Sequence, residues 1–161
     1  MANLYADAGR YEQAEPLYQR ALAIRERALG PDHYDTAQSF ESLAVLYKNQ
    51  GKYEQAEQLY QRSLTIYERV LGAGHPDIGR CLNNLANLYA DQGKYEQAEP
   101  LYQRALMIKE RRLGADHPDT IRVLGNYAKL LRKMGREGEA AGLEARVEAI
   151  RGKVQGSEEG K

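Results

Sequence analysis

The chain has 161 residues, no Trp, one Phe and a formal net charge of zero. That balance argues against bulk attraction to nucleic acid or to a membrane surface. One cysteine, Cys81, excludes an internal disulfide and fits a reducing, cytoplasmic setting.

The organising feature is a period. Gly9, Gly51, Gly93 and Gly135 recur every 42 residues, as do Tyr11, Tyr53 and Tyr95, and His33, His75 and His117. A fixed step of this size marks stacked repeats rather than a single-centred core. The chain opens on "MANLYADAG", with Met1 where a later copy has Leu85. With A and B naming the first and second helix of a repeat, a half A helix over Met1–Ala8 is therefore expected, as an excised fragment or late start would give. A B helix follows over Tyr11–Leu29. Its uncovered edge, with Leu4 and Tyr5, predicts weak self-association.

Each further repeat reads as two helices. Leu82, Leu85, Ala86, Leu88 and Tyr89 follow the i, i+3, i+4, i+7 rule, and so do Ala98, Leu101, Tyr102, Ala105 and Leu106. Gly93 falls between them, where a left-handed residue ends the A helix without steric cost. In the linker "LGADHPD", Gly114 closes the B helix, Asp116 is the predicted N-cap and Pro118 suits the first turn. Pro16 and Pro100 predict at most a small kink. Near the end, Ala140, Leu143, Val147 and Ile150 form one narrow apolar stripe, as a terminal capping helix needs. The glycine-rich stretch from Gly152 predicts a disordered tail. The domain boundaries expected are a truncated repeat at 1–30, repeats at 31–72 and 73–114, a capping repeat at 115–151 and a tail at 152–161.

"NLANLYADQGKYEQAEPLYQRAL" resembles the tetratricopeptide repeat, with Leu85, Ala86, Tyr89, Tyr95, Ala98, Tyr102 and Ala105 at signature positions. The 42-residue step, with "RALAIRERALGPDH" and "LNNLANLY", resembles the kinesin-light-chain subtype. The resemblance spans roughly residues 2 to 151. It implies an all-α, right-handed superhelical solenoid of stacked antiparallel helix pairs, in which A helices line a concave groove.

Catalysis is not expected. Histidines spaced one repeat apart stand about 10 Å from one another in a stack, whereas one zinc needs nitrogens at about 2 Å. They read as turn and helix-start residues, so no metal, cofactor or catalytic set is assigned. No apolar run approaches the roughly 18 residues of a membrane helix.

What remains is a surface. The positions implied for the groove are Gln38, Glu41, Ser42, Val45, Lys48 and Asn49, then Arg80, Asn83, Asn84, Asn87 and Asp91, then Arg122, Asn126, Lys129, Arg132 and Lys133. The helical period independently puts each set on one face. Amides there can donate to and accept from a peptide backbone, and the cations favour carboxylates. The expected function is an interaction module holding an acidic partner peptide. The alternative is a structural unit that stacks end to end.

Overall fold

The computed structural model describes residues 11–158, with side chains described through residue 153. The expected half A helix at Met1–Ala8, with Leu4 and Tyr5, lies outside the described residues. Among the described residues seven helices follow in order: α1 (Tyr11–Leu29), α2 (Tyr34–Asn49), α3 (Tyr53–Leu71), α4 (Pro76–Asp91), α5 (Tyr95–Leu113), α6 (Pro118–Lys133) and α7 (Glu137–Glu158). The chain divides into two compact units between Ala73 and Gly74. The first contains α1 to α3 and the second contains α4 to α7.

Within each unit, A helices (α2, α4, α6) alternate with B helices (α1, α3, α5, α7). The A-to-B turn repeats closely. Gly51, Gly93 and Gly135 each take a φ of 75°. The next residue donates back to the helix, Lys52 N–H to the Tyr47 carbonyl at 2.8 Å, and Lys94 to Tyr89 and Arg136 to Leu131 at 2.9 Å. The glycine N–H groups bond the carbonyls of Lys48, Ala90 and Arg132 in the same turns. This double bond is the Schellman closure, and it satisfies carbonyls that the helix end leaves open.

The A helices start differently from the sequence reading. Asp116 is not the N-cap. His33, His75 and His117 are, with extended backbones and Nδ1 accepting from the N–H of Asp35, Asp77 and Asp119 at 3.1, 3.2 and 3.1 Å. A neutral imidazole with its proton on Nε2 supplies the acceptor that Asp or Ser supplies elsewhere. Pro76 and Pro118 open α4 and α6, where a missing N–H costs nothing. Thr36 and Thr120 hydroxyls donate to the Gly30 and Gly114 carbonyls at 2.8 and 2.7 Å, fastening each linker to its helix start. We expect His117→Ala to cost about 1 kcal/mol and His117→Asp to restore most of it; paired thermal melts check this.

Small residues bring the helices together. Ala14, Ala56, Ala98 and Ala140 are all fully buried, and Tyr60 and Tyr102 are almost so. The B helices tie forward to the next turn. In the first unit Lys52 pairs with Glu15 at 2.9 Å, and Gln19 donates to the Tyr47 hydroxyl at 3.1 Å. In the second, Arg136 bridges both oxygens of Glu99 at 2.7 Å. Leu131 stands where Tyr47 would recur, and Tyr127, one turn earlier, takes over its role. Its hydroxyl donates to Glu99 at 2.8 Å and accepts from Gln103 at 3.0 Å.

One expectation fails at the far end. The chain from Gly152 to Glu158 is helical, continuing α7, where a disordered tail was expected. Glycine in a helix costs about 1 kcal/mol relative to alanine, which weakens a helix already under way without stopping it.

Candidate functional site

The candidate face is built on α6 and α4. In α6 the period sets Arg122, Asn126, Lys129 and Lys133 on one side, opposite the buried Val123, Leu124, Tyr127 and Leu131. In α4 the same positions hold Arg80, Asn84, Asn87 and Asp91, opposite Ile78, Leu82, Leu85 and Tyr89.

The two helices meet through amides. Asn126 Nδ2 donates to Asn83 Oδ1 at 3.1 Å. Asn83 is only 2% exposed, so it forms the floor between α4 and α6 and not a wall open to solvent. Glu41, its counterpart in α2, is also buried and accepts from the Tyr67 hydroxyl at 3.1 Å. Gly125 holds this position in α6. These positions lie one residue, about 100°, around the helix from 42, 84 and 126, which turns them toward a neighbour. The change from Glu and Asn to Gly along the repeats was the available sequence signal. Asn87 accepts from the Tyr102 hydroxyl through its Oδ1. Burial, with the charge of Asp91 added, pushes the Tyr102 hydroxyl well above the ordinary tyrosine range, so it stays a donor.

The cations divide into two kinds. Arg80 and Arg122 each pair with the aspartate one turn back, Asp77 and Asp119, at 3.0 Å. Arg132 turns away from the face toward α7, with Glu144 at 2.7 Å and Glu137 alongside. Hydrogen bonding to Glu144 raises its pKa further, so the guanidinium stays charged and its charge is engaged by α7. Lys129 and Lys133 are exposed and make no hydrogen bond or ion pair among the described residues. In the first unit, Ser42, Val45 and Asn49 of α2 are exposed and Lys48 is half-buried.

The sequence reading missed Lys109. It is 2% exposed on α5, and its Nζ lies 2.7 Å from Asp119 Oδ2. Asp119 therefore serves both Lys109 and Arg122, and no longer offers its charge to a ligand. Cys81 is fully buried in α4. Among the described residues, no helix is long and apolar enough to cross a membrane.

The tetratricopeptide-repeat family model matches residues 1–69, 41–111 and 82–153, three overlapping stretches that together run nearly the whole length. The chain belongs to the tetratricopeptide repeat family. Its all-α, helix-pair class is that of solved repeat solenoids. BtubC (BKLC) from P. vanneervenii matches with a TM-score of 0.88 and 27% identity, over 96% of this chain and 62% of that one. The chain thus spans less than two thirds of that protein. A putative kinesin light chain with nearly identical TPR-like repeats from Podosopora anserina matches at TM-score 0.77 and 26% identity. A single-substitution form of that protein matches at 0.80 and 26%, and both cover 96% of this chain and 73% of theirs. No curated protein sequence matches the chain. Tetratricopeptide repeats mediate protein–protein interaction or assembly, and scaffolds of this family are typically non-catalytic.

Proposed function

We propose that the chain is a cytoplasmic protein-interaction module that holds an acidic partner peptide against its A-helix faces. The observation that carries this reading is the face of α6. Lys129 and Lys133 stand one turn apart, exposed and without a described partner, beside the Asn126–Asn83 bond. A peptide carboxylate gains charge-assisted hydrogen bonds from the two ammonium groups, while the amides of Asn84, Asn87 and Asn126 meet its backbone. Arg80 and Arg122 already share their charge with aspartates and contribute less.

The test is a peptide array followed by fluorescence anisotropy on the selected sequences. Acidic peptides should be enriched and bind with a Kd of about 1–10 µM, near −8 kcal/mol. Lys129→Glu with Lys133→Glu should weaken them at least about tenfold, and added salt should do likewise. Arg132→Glu should change stability far more than affinity. Selection of neutral apolar peptides that ignore both lysine substitutions would sink the proposal.

A further inference from the structure

The three A-helix starts share one chemical weakness. His33, His75 and His117 each cap a helix through Nδ1, which accepts from the N–H of Asp35, Asp77 and Asp119. The oxygen of an Asn, Ser or Thr cap accepts at any ordinary pH. An imidazole does not. Unperturbed, it changes charge between about pH 5 and 8, and the imidazolium carries a proton on both nitrogens and offers no lone pair. It also sets a positive charge at the positive end of the helix dipole.

The surroundings decide how much of that loss is recovered. Beside His33 lie Asp35, with a carboxylate oxygen 3.8 Å from Nδ1, and Asp32, held by Arg69 of α3 at 2.9 Å. Arg25 of α1 donates to the Asp35 carbonyl at 3.0 Å. Beside His75 lie Asp77, 3.5 Å from Nδ1, and Arg80, which pairs with Asp77 at 3.0 Å. Arg112 of α5 donates to the carbonyl of the adjoining Gly74 at 3.0 Å. Beside His117 lie Asp116 and Asp119, and Lys109 of α5 and Arg122 share Asp119. Each imidazolium would thus meet an aspartate two residues on, and two of those three aspartates already hold cations. Partly exposed pairs of this kind are weak, so the lost cap and the dipole outweigh them.

The start of α4 is the least secured of the three. Thr36 and Thr120 fasten the Gly30 and Gly114 carbonyls to α2 and α6. Ile78 holds the same position in α4 and has no hydroxyl for Gly72.

We propose that the A-helix starts form an acid-sensitive switch, in which protonation of His33, His75 and His117 removes three caps together and frays the first turns of α2, α4 and α6, α4 foremost. The sign follows from the geometry. The caps are complete where the imidazoles are neutral and are lost as pH falls through the imidazole range. The device lies in the helix starts alone, whatever the A-helix faces bind.

The test compares the full chain with a variant carrying His33→Asn, His75→Asn and His117→Asn. Asparagine caps equally well and does not titrate. Between about pH 7.5 and pH 5 the parent should lose about 6–12 °C in Tm, from three caps of ordinary strength in a chain of this size. The variant should lose no more than about a quarter of that. Hydrogen exchange read by mass spectrometry locates the change. At the acid pH the first turn of α4 should exchange about fivefold faster in the parent than in the variant, the ratio set by one lost cap. At the neutral pH the two should match. A parent that melts alike at both pH values, or a variant that loses as much as the parent, would overturn the proposal. So would equal exchange of the two chains in acid.

Discussion

Asp119→Asn should lower the stability of the chain by about 3 kcal/mol, whereas Lys109→Met at the other end of the same pair should cost less than about 1 kcal/mol. The asymmetry follows from burial. Lys109 is 2% exposed and Asp119 has a third of its side chain exposed. Removing the carboxylate strands an ammonium in the interior. Removing the ammonium leaves a carboxylate that water and Arg122 still reach, 3.0 Å away. Methionine matches the lysine stem in volume, and the stem already packs closely. A Cβ on Gly79 would come within 3.2 Å of Lys109 Cγ, so the glycine leaves the room that the stem fills. The pair also sets an acid dependence. The hydrogen bond from Lys109, helped by its charge and that of Arg122, holds the Asp119 carboxyl below the usual range, against the upward push of burial. The folded chain therefore binds this proton less readily than the unfolded chain. The stabilisation is complete above about pH 4 and fades as pH falls through the lower folded value. Urea midpoints for the parent and Asp119→Asn should differ at pH 7 and converge in strong acid.

That pair shows where sequence reasoning ends. The 42-residue period shows the helix pairs, the glycine turns and the buried alanines, because each follows from local spacing. The period does not say which side of a B helix is covered next. Positions 25, 67 and 109 hold Arg, Tyr and Lys, so nothing in their chemistry announces burial. Only the approach of Gly79 and Asp119 makes Lys109 an interior residue. The histidine caps were hidden for another reason. Asp116 was the obvious acceptor, but an imidazole accepts through Nδ1 only in one tautomer, which sequence does not display. On the α6 face the shared side of Arg122, Asn126, Lys129 and Lys133 was legible from helical geometry. The loss of Arg132 to Glu144, 12 residues away on another helix, was not. The continuation of α7 past Gly152 belongs with propensity, where glycine shifts a balance by an amount too small to end a helix alone.

Phe40→Ala should cost about 3–5 kcal/mol. Phe40 is 1% exposed, and its ring underlies Arg62 at 4.1 Å. Alanine would remove the apolar burial, leave a cavity between α2 and α3, and take away the cation's ring face together. Phe40→Leu should cost only about 1 kcal/mol, because Leu82 and Leu124 fill the same position of α4 and α6 and are fully buried there. The loss should also be local. Repeat arrays draw their stability from each repeat and its nearest neighbours, so damage at α2 and α3 weakens the first unit before the second. Native-state hydrogen exchange of the Phe40→Ala chain should show α2 and α3 amides losing protection while those of α5 and α6 keep theirs. Equal loss in both units would mean that the chain unfolds as one cooperative block, and a cost below about 1 kcal/mol would mean that the space closes without a cavity.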